Sequence, residues 1–194
     1  MRAYYHARAR EYDEWWLGVG LYADRRPPDW DDARDGLIAF LESLPPARTL
    51  DVACGTGFIT QHLPGEVTGL DQSDAMIEIA RERMPDRTFV VGDAFDLPFA
   101  DKSFERVLAS FFYCHLEEPD RLRFLSEARR VAPELLVVGT IGREGEAGAR
   151  WDEHVLNDGS HWQVYKRVFE PELLAEELGG EVVYAAHRLL VVRA

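Results

Sequence analysis

The chain has 194 residues, 46% hydrophobic and 29% charged, with a formal net charge of −13. That length makes one domain with room for a hydrophobic core, and no apolar run is long enough to span a bilayer. A surface this acidic repels polyanions and weighs against nucleic acid as a partner.

The N-terminal stretch MRAYYHARAREYDEWW carries Arg2, Arg8 and Arg10 but no apolar segment of the kind a secretory signal needs. Its basic residues read as one solvated helix face. Tyr4, Tyr5, Tyr12, Trp15 and Trp16 crowd the same stretch, and Tyr5, Tyr12 and Trp16 are spaced so that one helical face can carry them. Next, DWDDARDGLIAFLESL places Trp30, Ala33, Leu37, Phe40, Leu41 and Leu44 at helical spacing, with acids in the first turn where the helix dipole favours them. Pro45-Pro46 ends that helix, because proline supplies no N–H and disfavours helix in the residue before it. Residues 1–48 are expected to form a helical lid.

From Thr49 strands and helices alternate. TLDVAC, EVTGLD, TFVVGD, RVLASFF and ELLVVGTI read as strands. GFITQHL reads as a short helix closed by Pro64-Gly65. SDAMIEIARERM reads as a helix capped by Ser73, with Met76, Ile77, Ala80 and Met84 as its apolar stripe. DRLRFLSEARRVA reads as a helix with Leu122, Leu125 and Ala128 inward. PELLAEELGG is a helix bounded by proline and glycine. EVVYAAHR and LLVVRA then read as two adjacent strands, a hairpin. Cys54 and Cys114 make neither a disulfide framework nor metal-ligand spacing, so a cytoplasmic setting with reduced thiols is expected. Arginine carries the positive charge, with lysine only at Lys102 and Lys166.

The expected fold is a single doubly wound α/β domain. Its mostly parallel seven-stranded sheet has an antiparallel last strand and helices on both faces. Residues 49–141 form the core, and 171–194 the last helix and hairpin. Residues 142–170 are too long for an ordinary connection and are expected to be an insertion or substrate lid.

In such a sheet ligands bind at the carboxyl ends of the strands, where strand order reverses. The first strand ends in ACGTG, so its glycine turn faces that edge. A nucleoside triphosphate requires a lysine and a hydroxyl after the glycines, and Phe58, Ile59, Thr60 and Gln61 stand there instead. A dinucleotide requires a third glycine, and Thr60 occupies that place, although Asp71 closes the second strand where a ribose-binding acid belongs. A nicotinamide-dependent oxidoreductase therefore stays open as an alternative.

LDVACGTG, GLDQSDAMIEIAR and VVGDAFDLPFADKSFERVLASFFYCHL together resemble the motifs of the class I, Rossmann-like methyltransferases that use S-adenosylmethionine. Ala53 stands where that family often has its first glycine. The resemblance implies a methyltransferase acting on a small molecule at O, N or C, with S-adenosylmethionine as cofactor and S-adenosylhomocysteine as product. A module that binds the cofactor without catalysis is the second alternative. The resemblance also implies site roles. The backbone at Ala53 contacts the methionine amino group and Asp51 orients it. Gly55 and Gly57 clear space for close approach. Asp71 grips the ribose hydroxyls, and Gln72 and Met76 border the adenine. Asp93 meets the adenine amino group, and the Ala94 N–H a ring nitrogen. Ser110 and Phe111 lie where the donor sulfur belongs.

Tyr12 is the expected aromatic contact to the ligand, since a sulfonium is attracted to ring faces. Phe95 is expected either against the adenine or in the core. His115 is the best-placed candidate base, with His6, His154 and His161 in the two expected lids. Trp162, Tyr165 and Phe169 are candidates to wall a substrate pocket.

Overall fold

A computed structural model describes residues 1–25, 27–142 and 147–194. The N-terminal segment is not one helix. It folds as α1 (Arg2–Arg8), a 3₁₀ turn (Ala9–Glu11) and α2 (Glu14–Leu17), and the long helix α3 (Trp30–Glu42) follows a second 3₁₀ turn at Gly20–Tyr22. The core elements are β1 (Thr49–Val52), β2 (Val67–Asp71), α4 (Asp74–Arg83), β3 (Thr88–Val91), β4 (Arg106–Ser110), α5 (Glu118–Val131) and β5 (Glu134–Thr140). A two-stranded ribbon of β6 (Gly148–Val155) and β7 (His161–Val168) comes next, followed by α6 (Pro171–Leu178), β8 (Glu181–Ala186) and β9 (Leu189–Arg193).

The main sheet has seven strands in the order β3-β2-β1-β4-β5-β9-β8. β1 to β5 pair in parallel, and β9 runs antiparallel to both of its neighbours. This is the expected doubly wound α/β fold. The order reverses between β1 and β4, which opens a crevice beyond their carboxyl ends.

Strand alternation divides the apolar residues between two faces. Val107, Ala109, Leu135 and Val137 pack with Phe124, Leu125 and Ala128 of α5 and with Leu174 and Leu178 of α6. Leu108, Leu136, Val138 and Val191 pack on the other face with Ala33, Leu37 and Leu41 of α3. Each buried Leu or Phe of this kind contributes roughly 1.5–3 kcal/mol of transfer free energy. Ser73 caps α4 by accepting a hydrogen bond from the Met76 N–H at 3.3 Å, which leaves the apolar stripe of α4 buried against Cys54 and Phe89.

Three local expectations are corrected. GFITQHL forms only a 3₁₀ turn at Thr60–His62, because the glycine turn and Pro64 leave too few residues for an α-helix. α5 begins earlier than expected, at Glu118, with a proline in its first turn. Its inward face is Arg121, Phe124, Leu125 and Ala128, and Leu122 is 63% exposed. Trp16 does not share a helical face with Tyr5 and Tyr12. The break after Arg8 sends it into the core, stacked on Phe58 with centroids 4.9 Å apart.

The β6–β7 ribbon lies over the N-terminal segment. Tyr4 Oη meets His154 Nδ1 at 2.7 Å, and Asn157 hydrogen-bonds Glu11 and Glu14 at 2.8 and 2.9 Å. Tyr4 is buried with Leu156 and Val164. Residues 143–146 of the expected insertion lie outside the described residues. No helix among the described residues is long and apolar enough to cross a membrane.

Candidate functional site

β1 is buried along its whole length, and the chain turns sharply as soon as it leaves the sheet. Ala53, Gly55 and Gly57 all take positive φ, at 57°, 55° and 76°. For Ala53 that conformation costs roughly 1 kcal/mol relative to glycine. A Cβ placed on Gly55 would lie 3.3 Å from the Tyr12 ring, so glycine keeps the space beneath that ring open. Gly57 does different work. A Cβ there would meet only the movable end of the Met84 side chain at 2.5 Å and Ala80 of α4 at 3.4 Å, so its positive φ is what calls for glycine, and it does not line the cavity described next.

A cavity of about 290 Å³ opens at the strand-order reversal. Nine of the eleven residues expected to bind cofactor line it: Tyr12, Ala53, Gly55, Asp71, Gln72, Met76, Asp93, Ala94 and Ser110. Asp51, like Gly57, is set back. It borders a small side cavity that shares Tyr12, Ala53 and Ser110 with the larger one.

Asp71 is held in place by the turn it faces. Its Oδ2 accepts the Gly55 N–H at 3.0 Å, and its Oδ1 accepts the Ser73 N–H at 2.8 Å. Each carboxylate oxygen has a second lone pair, so the group can still accept from a diol. Burial raises its pKa, and hydrogen bonds from the backbone of Ser73, Gly55 and Gln72 oppose that rise. Asp51 is buried more deeply. One oxygen accepts the Thr60 hydroxyl at 2.6 Å, and the other has no partner among the described residues. Burial raises its pKa to about 7, with the Thr60 bond pulling the other way. Ser110 Oγ is also buried without a partner among the described residues. Unmet polar atoms of this kind beside a cavity are where a polar ligand gains most.

On the far side, Asp93 Oδ1 accepts the Phe95 N–H at 2.9 Å, which fixes the loop after β3. Phe95 borders the cavity and also packs toward Phe112. Phe111 takes φ 53°, an uncommon conformation for a bulky residue and one that marks functional sites. Its ring lies 5.1 Å from Trp15. Sequence reasoning missed Phe112, Leu116 and Asp120, which complete the rim. The turn and helix start that deliver them carry no separate motif.

Tyr5 also lines the cavity, 6.3 Å from Tyr12. His115 lines it too. Its Nδ1 hydrogen-bonds the Tyr165 carbonyl at 2.7 Å, which assigns the proton to Nδ1 and leaves Nε2 as an acceptor. Burial lowers its pKa to about 4. The other expected histidines lie elsewhere. His6 pairs with Asp74, His154 with Tyr4, and His161 with Glu153. Trp162, Tyr165 and Phe169 line neither this cavity nor the second large one. Trp162 packs on Tyr4, Tyr165 faces Trp151, and Phe169 is buried against Tyr113.

The residues present suit a phosphate-free nucleoside carrying a cationic centre. The cleft has aromatic rings, three carboxylates and, among the described residues, no lysine or arginine in its lining. Past the glycine turn there is only a 3₁₀ turn, and it offers none of the helix N-terminus that a pyrophosphate needs.

Known proteins agree. The sequence profile of a family described as "Methyltransferase domain" matches residues 50–134. The structure superposes on DhpI in complex with SAH with a TM-score of 0.75, at 26% identity over 98% of this chain and 92% of that one. Over residues 50–134 the chain is thus similar to methyltransferase domains, and its fold is that of DhpI. DhpI is also known in complex with SAM and HEP, with the same TM-score of 0.75. Among curated methyltransferases, this chain is similar to a demethylmenaquinone methyltransferase of Thermotoga maritima, 40% identical over 103 residues, or 50% of this chain and 44% of that protein. A second, from Renibacterium salmoninarum, is 40% identical over 92 residues, 46% of this chain and 38% of its own length. The match thus spans less than half the length of these relatives.

Proposed function

We propose that this protein transfers the methyl group of S-adenosylmethionine to a small molecule. The observation that carries this reading is the convergence of Gly55, Asp71 and Asp93, from the ends of three adjacent strands, on one cleft. When bound, the cofactor supplies an activated methyl group with its own leaving group, so the protein's task is mostly alignment.

In this reading Asp71 accepts the ribose hydroxyls on its free lone pairs. Gln72 and Met76 flank the adenine, and Asp93 and the Ala94 N–H read its edge. The orphaned oxygen of Asp51 and the backbone at Ala53 hold the methionine end. Tyr12 closes over Gly55, with Ser110 beside the donor sulfur. Residues 1–48 and the β6–β7 ribbon act together as the lid, because they are joined through Tyr4, His154, Glu11 and Asn157. His115 lines the cleft with Nε2 left as an acceptor, and burial keeps it neutral, so it can take a hydrogen bond from an acceptor that arrives protonated. A cytoplasmic setting is supported by the free, buried thiols of Cys54 and Cys114. The acceptor named for the curated relatives is not carried over, because the match covers about half of this chain.

The test is release of S-adenosylhomocysteine across a panel of small acceptors. Turnover with any of them supports catalysis. Tight cofactor binding with no release across the panel supports a cofactor-binding module instead.

A further inference from the structure

A second cavity of about 260 Å³ lies beside the cofactor cleft. Its lining includes Thr140 and Ile141 at the end of β5, next to the end of β4 where Ser110 and Phe111 border the cleft. Trp15, against the Phe111 ring, forms the wall between the two. Four cations from four separate segments line it, Arg25, Arg150, Lys166 and Arg188, and no acid does among the described residues. In a chain with a formal net charge of −13 this concentration runs against the global sign.

The arrangement is costly unless something negative enters. Arg150 and Lys166 are directly opposite one another in the β6–β7 ribbon, a like-charge pairing that destabilises antiparallel strands. Two of the four have carboxylates behind them. Arg150 pairs with Asp152 at 2.9 Å, and Arg188 with Asp29 at 3.4 Å. Arg25 and Lys166 have no carboxylate partner among the described residues. A fifth cation backs the site. Arg8 is buried, hydrogen-bonds Tyr22 Oη of the cavity wall at 3.0 Å and lies 5.0 Å from the Tyr12 ring of the cleft. Among the described residues its Nε has no partner, and the groups that act on it are tyrosines. Trp15, Trp30 and Ile141 supply an apolar wall.

We propose that the methyl acceptor is a small organic anion, and that Arg25, Arg150, Lys166 and Arg188 hold its carboxylate or phospho group in this second cavity. The proposal rests on the methyltransferase reading and names the substrate class for it. Guanidinium forks and an ammonium suit either kind of oxyanion, and the apolar wall takes the rest of the molecule.

The full-length protein is first titrated with S-adenosylhomocysteine. With the cofactor product bound, it is then titrated calorimetrically with benzoate, phenylphosphonate and, as the neutral control, benzamide. One or both anions bind and benzamide does not, and the stronger anion identifies the carboxylate or phospho preference. In the Lys166→Met/Arg188→Gln double variant anion affinity falls by about tenfold or more, with S-adenosylhomocysteine affinity as in the wild type. The single variant Lys166→Met shows the same direction should the double variant fail to fold. Wild-type protein that ignores both anions, binds benzamide equally well, or binds anions as tightly after the substitutions overturns the proposal. Failure to bind S-adenosylhomocysteine sinks the methyltransferase reading instead. The anion titrations are repeated on the protein alone, so they decide the second cavity even then.

Discussion

The two cavities on either side of the Trp15–Phe111 contact are close in size and opposite in charge. Among the described residues, one is lined by Asp71, Asp93 and Asp120 with no lysine or arginine, and the other by four cations with no acid. On the proposed reading, such a division sorts two ligands by sign. A sulfonium donor is attracted to carboxylates and rings, and an oxyanion is repelled by the same surface. The acidic cleft grows out of sheet ends and backbone turns, whereas the basic cavity is assembled from a loop, a ribbon and a hairpin corner.

The comparison can be sharpened by removing one group at a time. The largest expected effect concerns Asp51, at the foot of the acidic cleft. Its pKa is raised in the folded state from 3.8 to about 7. Below about pH 4 the carboxyl is protonated in both states. As pH rises toward 7 the unfolded chain ionises first, so the folded state loses stability, by up to roughly 4 kcal/mol. Urea unfolding between pH 4 and 8 checks this. Wild type should lose stability relative to Asp51→Asn across that window, and parallel curves would remove the buried-carboxyl account. Next in size is Tyr12→Leu. It should weaken S-adenosylmethionine by about fivefold and S-adenosylhomocysteine less, because only the former carries the cation that a ring attracts. Equal losses would assign Tyr12 to packing alone. The smallest effect is at Ala53, where glycine relieves positive φ. Ala53→Gly should stabilise the protein by about 0.5 kcal/mol after the entropy gained by the unfolded chain is subtracted, read as a small rise in Tm.

The acidic cleft was largely legible in the sequence, and the basic cavity was not. Periodicity located all five parallel strands, and their ends carry Ala53, Gly55, Asp71, Asp93 and Ser110 as contiguous motifs. Sequence reasoning failed where packing overrode local pattern. Asp13 turns to Thr56 and Arg83, joining the N-terminal segment to the glycine turn while the helix is broken around it, and Trp16 leaves the Tyr5–Tyr12 face. Leu122 was displaced from the core by Phe124, with Arg121 brought inward to pair with Glu177 at 2.6 Å. The basic cavity draws on positions 25, 150, 166 and 188, so no local window contains two of its cations except across the ribbon. The scarcity of lysine, with Lys166 one of two, was visible but carried no meaning until the fold placed it.

The central claim is that the acidic cleft is the cofactor site, and titration calorimetry with S-adenosylhomocysteine on wild type and Asp71→Ala tests it most directly. The account predicts micromolar-class binding by wild type and a loss of about one to two orders of magnitude in the variant. An Asp71→Ala protein that is folded and binds as tightly as wild type would contradict it.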